Sequence, residues 1–214
     1  MLPGVPSFLF LASGLICRKE NDISTKISIC SAALLQLGKA PISSFESPGD
    51  TARLCANLYP QERDSILREN DWNCAIKREI LAPLATTPTF GFSTQFALPS
   101  DFLRMVQVGD YYVGMPECQA FKIEGRKILA SGTILPIVYV FRNEQEETWD
   151  AKLVELMTAR MLWKLAYAVT QSTSLRDELK AEYYAMAKAA RAIDAQENPS
   201  EALSDDFTLL NGRQ

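Results

Sequence analysis

A chain of 214 residues with 47% hydrophobic and 22% charged residues can bury a substantial core, which excludes a disordered polypeptide. Its 22 Lys and Arg against 26 Asp and Glu leave a formal net charge of −4, which argues against a broad nucleic-acid-binding surface. Histidine is absent, so Ser-His-Asp and Cys-His catalysis and the HExxH metal motif are removed together.

The chain opens on an apolar run, SFLFLASGLIC, that is too short to span a bilayer. No Lys or Arg precedes it, so the charged start of a secretory signal is missing. Residues 1–26 are therefore expected to be an N-terminal extension, an upstream translation start with no structural role or a flexible arm in preference to an arm that packs on a neighbouring subunit. From Ile27, apolar residues recur at steps of three and four (Ile27, Cys30, Leu34, Leu37), which predicts a helix. Gly38 supplies its left-handed stop and Pro41 blocks continuation. Ser47 and Pro48 are the expected N-cap and first position of a second helix, with Asp50 in its first turn. Leu54, Leu58 and Ile66 mark its apolar face, Pro60 is expected to kink or split it, and Trp72 stands at its exit.

Between Leu81 and Arg142 the period changes to two. Phe90, Phe92, Phe96 and Leu98 share one parity, as in an extended segment, and 103–108 reads as a further strand. FKIEGRKILA predicts a hairpin about Glu124-Gly125. Residues 134–141 are strongly β-prone, with Pro136 pointing to an edge or a bulge. A sheet of roughly four strands results.

The helical period returns at Trp149. Val154, Met157, Met161, Leu165 and Ala168 make one row and Leu156, Trp163 and Tyr167 another, so this helix should be central. Residues 172–174 cap a last helix whose stripe is Leu175, Leu179, Tyr183, Met186, Ala190 and Ile193. Ala181, Ala185, Ala189 and Ala192 are expected to permit close helix approach, and Asn198-Pro199 ends the helix. The expected fold is α+β: a helical bundle of two N-terminal and two long C-terminal helices (27–80 and 148–197) with a small antiparallel β insertion (81–147) projecting from it. A tail follows over 198–214, acidic and then apolar at Leu203, Phe207, Leu209 and Leu210, which are the candidate partner-binding residues.

The order and spacing of these residues resemble the tail tubular protein A family, the head-to-tail adaptors of tailed bacteriophages. The resemblance runs through Cys30, Ala32, Ala33, Leu34, Leu37, Gly38, Pro41, Ile42, Ser44 and Phe45. It continues with Tyr59, Arg63, Asp64, Leu67, Trp72, Asn73 and Ala75, and then with Phe90, Phe96, Leu98, Pro99, Asp101 and Arg104. It covers about residues 27–196, and Cys74 stands where relatives have an aromatic. The resemblance implies a virion structural protein at the head-tail junction, assembled in the host cytoplasm. It implies a ring, a dodecamer in that family, with portal and tail tube or nozzle as partners and DNA passing non-specifically through the lumen. It implies no membrane partner and no catalytic, cofactor-binding or metal-binding residue.

The chemistry legible in the residues agrees with that implication. Five cysteines (17, 30, 55, 74 and 118) form no CxxC pair, and Cys30 and Cys55 fall on apolar helix positions as core thiols. No GxxxxGK[ST] or GxGxxG is present. The acidic cluster Glu144, Glu146, Glu147 and Asp150 reads as a solvated face before a helix. Asp64 and Asp101 read as helix and turn residues, and Lys77 and Arg78 as a small basic spot that is solvated or paired. The alternative function is a virion-associated glycan or peptidoglycan hydrolase using paired carboxylates.

Overall fold

The computed structural model describes residues 24–116 and 118–197. The expected N-terminal extension reaches it only at residues 24–26, and the tail with Leu203, Phe207, Leu209 and Leu210 lies outside the described residues. Four helices are seen: α1 (Lys26–Gln36), α2 (Asp50–Glu69), α3 (Ala151–Thr170) and α4 (Thr173–Glu197). Between α2 and α3 come seven strands: β1 (Ile76–Leu81), β2 (Thr94–Ala97), β3 (Phe102–Val108), β4 (Tyr111–Tyr112), β5 (Phe121–Glu124), β6 (Lys127–Ala130) and β7 (Leu135–Phe141). The fold is α+β, with the strands inserted between the N- and C-terminal helix pairs.

Local chemistry explains the helix ends. Thr25 and Ser28 exchange side-chain and backbone bonds in a capping box that starts α1. Its buried stripe is Ile29, Cys30, Ala33 and Leu34, a slight rotation from the expected one. Gly38, at φ 71°, lets Lys39 N reach back to Leu34 O at 2.9 Å and closes the helix. The second helix begins later than the Ser47-Pro48 pattern predicts. The Ser47 hydroxyl is spent on the loop, accepting from Ser44 N at 3.0 Å, and Gly49 occupies the cap position instead. Pro60 neither ends nor divides α2. It lies on the exposed side, where water can take the carbonyl its missing N–H leaves free.

Asp150 caps α3 by accepting from Lys152 N at 2.7 Å. Replacing it with alanine should lower stability by about 1 kcal/mol, seen as a lower melting temperature with unchanged near-ultraviolet CD. Ser172 does the same for α4, accepting from Leu175 N at 3.3 Å.

The strands form two sheets, ordered β1-β7-β3-β4 and β2-β6-β5, all antiparallel. Several expectations change here. The β region begins at Ile76, because β1 pairs with β7 along its whole length, so residues 76–80 do not belong to the helical body. Phe90 and Phe92 precede β2, and Phe90 is 87% exposed. The β5–β6 hairpin turns one residue later than predicted, at Gly125 and Arg126, both left-handed, while Glu124 pairs with Lys127. Pro136 lies in β7, an interior strand rather than an edge. It donates nothing to the ladder, while its carbonyl accepts from Gly109 N at 2.9 Å. The register shifts fall on β3, between Phe102 and Arg104 and between Met105 and Gln107.

The larger sheet is a middle layer. Leu103, Val106, Val138 and Val140 face the helical core with Ile66, Trp72 and Leu156. Met105, Val108, Leu135, Ile137 and Tyr139 face the other way and pack against Phe96, Ile128 and Ala130 of the smaller sheet. The β region therefore does not simply project. One sheet is built into the helical body, and only the second lies beyond it. Burial on both faces explains why β7 reads as a nearly continuous apolar run.

Candidate interaction surfaces

The polar residues that carry the family resemblance gather at the seam between α2 and the larger sheet. Tyr59 donates to Glu146 Oε1 at 3.0 Å. Burial and the neighbouring Glu146 carboxylate push its phenol well above the usual range. Arg63 pairs with Asp64 at 2.9 Å and Glu144 at 3.0 Å, and Arg142 reaches Asp64 at 2.8 Å. Arg104 donates to Arg68 O at 3.0 Å and pairs with Asp71, while Trp72 Nε1 donates to Ile66 O at 3.0 Å. Ile66 and Arg68 lie in the last turn of α2, whose carbonyls have no partner within the helix. Trp72 and Arg104 are thus side-chain caps that tie the helix end to β3. Buried Asn143 completes the seam, donating to Cys74 O at 2.7 Å and to Thr148 Oγ1 at 2.9 Å. No sequence pattern marks Asn143, because the backbone it holds at Cys74 lies 69 residues away.

The acidic cluster is not one solvated face. Glu146 is 7% exposed and points into the core, Asp150 caps α3, and Glu144 serves Arg63. A buried hub joins three helices instead. Arg160 of α3 donates to Glu62 Oε2, Glu69 Oε1 and Ser65 Oγ of α2, each at 2.6 Å, and to Tyr183 Oη of α4 at 2.7 Å. Lys164 adds a second bond to Glu62 at 2.8 Å. Burial by itself would raise the Glu62 pKa, but the bonds from Lys164 and Arg160 outweigh it and hold the carboxyl below its usual range.

Carboxylate chemistry needs two acids facing one cleft. One such approach is at Tyr139, whose hydroxyl lies 3.0 Å from both Glu79 Oε2 and Asp101 Oδ1. Lys77 sits on the other oxygen of Asp101 at 2.9 Å. Burial opposes ionisation of Asp101, yet the Lys77 and Tyr139 bonds prevail and hold its pKa low, the reverse of what a general acid requires. Cys30 and Cys55 are buried against each other, and their hydrogen bond and burial push the Cys30 thiol up. Among the described residues, no three His, Cys, Asp or Glu side chains are placed to hold a metal, and no helix is long and apolar enough to cross a membrane.

Surfaces rather than a pocket stand out. On one edge of the larger sheet, Ile80 (68% exposed) pairs with the exposed Pro136, and on the opposite edge Tyr111, Tyr112 and Val113 are exposed on and just after β4. On the helical body, Ala181, Ala185, Ala189 and Ala192 face outward and do not pack against α3. The contact with α3 is made by Tyr183, Ala187 and Ala190, one flank round from the predicted alanine row. Neither a protein-family model nor a curated protein matches the chain.

Proposed function

We propose that this chain is a head-to-tail adaptor of a tailed bacteriophage virion. In that role copies form a ring, a dodecamer in the family it resembles, between the portal and the tail tube or nozzle. DNA passes through the lumen without sequence-specific contact. The protein acts by geometry: each copy contributes modest contacts to its neighbours and to the rings above and below, and their sum holds the junction.

The observation that supports this reading best is that both edges of a sheet braced to a cross-linked helical body carry exposed apolar residues, Ile80 and Pro136 on one side and Tyr111, Tyr112 and Val113 on the other. Exposed apolar residues held together on a rigid layer suit a docking surface. The hydrolase reading has no comparable support, since the Lys77 and Tyr139 bonds hold the Asp101 carboxyl low where a general acid needs it raised.

The test is electron microscopy of the purified protein mixed with the portal protein encoded in the same genome. A ring of added density on the portal is expected, while the free chain stays monomeric at micromolar concentration. A stable dodecamer in the absence of portal would contradict template-dependent assembly. Bare portals at saturating protein would remove the adaptor reading altogether.

A further inference from the structure

We infer that the two flanks of the α3/α4 helix pair are complementary surfaces through which neighbouring copies of this chain dock head to tail. The inference rests on the ring proposed above and names its lateral contact.

The flanks differ in chemistry. On the side toward α2, Lys180 and Lys164 lie over the Trp163 ring at 5.8 and 4.7 Å, and Tyr184, 56% exposed, packs against the same ring at 6.0 Å. This flank is aromatic and basic through Lys180, Lys164 being paired with Glu62 at 2.8 Å. On the side toward the end of α1, a groove of about 340 Å³ is floored by Ala159, Leu162, Leu179 and Met186 and rimmed by Glu155 and Glu182. This flank is apolar with an acidic rim. Lys152 takes part of the Glu155 charge at 2.9 Å, whereas Glu182 makes no ion pair among the described residues.

Helical geometry sets the two surfaces apart. Tyr183 of α4 faces the core; Lys180 and Tyr184 lie round the helix to one side of it, and Glu182 and Met186 to the other. A patch that matches a different patch on the opposite flank makes a heterologous contact, and such a contact propagates into a ring when the rotation closes. Charge complementarity selects a second copy as the occupant: an aromatic surface bearing ammonium groups meets an apolar groove edged by carboxylates.

Sedimentation at low salt, with chain concentration raised to about 1 mM, tests the contact, since single lateral contacts in a cooperative ring are weak alone. Lys180 and Glu182 are exposed, so reversing them leaves the fold intact, which far-ultraviolet CD verifies. Lys180→Glu and Glu182→Lys should each weaken self-association about tenfold by placing like charges together, and the double variant should restore it. Trp163 is the one tryptophan of three that is not buried, so its emission should shift to the blue on association and the shift should vanish in Trp163→Phe.

Association that ignores both reversals, or singles that the double variant does not rescue, would overturn the flank pairing and leave the ring proposal standing. A wild-type chain that stays monomeric throughout would overturn the pairing too. So would a chain that does not self-associate but retards a short DNA duplex in a Lys180-dependent way. Failure of the ring itself is read separately, from bare portals in the microscope.

Discussion

Replacing Arg160 with alanine is expected to lower folding stability by about 3–5 kcal/mol, the largest effect of any polar substitution in this chain. The loss comes less from the bonds themselves than from what remains. The Arg160 side chain is 7% exposed and that of Glu62 is 11% exposed, so removing the guanidinium strands a desolvated carboxylate with only Lys164 beside it. Glu69, at 35%, can turn toward water and contributes less.

Acidity supplies a second readout of Arg160. The folded pKa of Glu62 lies below its unfolded value, so its contribution is complete above that unfolded value and is lost as pH falls through the folded one. Urea denaturation should therefore show the wild type keeping its advantage from pH 7 down to about 4.3, the ordinary Glu value, and losing it below, with the gap to Arg160→Ala narrowing there. A loss under about 1 kcal/mol at pH 7 would mean the hub is dispensable. Arg160→Met with Glu62→Gln should recover much of the loss, because both charges leave together.

Trp72→Ala should cost a similar amount, about 3–5 kcal/mol, by a different route. The indole is 3% exposed and fills the space where the end of α2, the short 3-10 turn at Asn73–Ala75 and the larger sheet meet. Its Nε1 also satisfies the Ile66 carbonyl. Trp72→Phe keeps most of the volume but leaves that carbonyl without its partner, for a loss of about 1–3 kcal/mol. Denaturant titrations of the two variants separate packing from capping, and equal losses would mean that only the hydrogen bond matters.

Legibility in the sequence followed the range of the interactions. The stop at Gly38, the cap of α4 at Ser172 and the hairpin around Gly125 are local, and each was readable from a few neighbouring residues. The strand at Ile76–Leu81 was not readable, since IKREIL shows no clean alternation. It is a strand because β7 offers six partners, Ile76 to Leu81 against Val140 to Leu135. Glu146 misleads for the same reason. In sequence it belongs to an acidic run, and only its position beneath the Tyr59 hydroxyl makes it a core residue. The outward alanines of α4 show a further limit: the sequence marked the Leu179, Tyr183, Met186 and Ala190 stripe that does pack inside, but small residues alone did not show that the alanine row beside it stays exposed.

By itself the sequence determined the α+β class, the β region between two helix pairs, Cys30 and Cys55 as core residues and the lack of histidine chemistry. These depend on composition and on periods of two and 3.6, which any chain displays before it folds. The tertiary structure alone decided that the larger sheet is a middle layer, that Arg160 binds three helices, and that the α3/α4 pair has one basic-aromatic and one acidic-apolar flank. Each of these brings together side chains far apart in the chain, as with Arg160 and Glu62 or Tyr59 and Glu146. Such pairings follow from how the layers stack, and no local pattern encodes them.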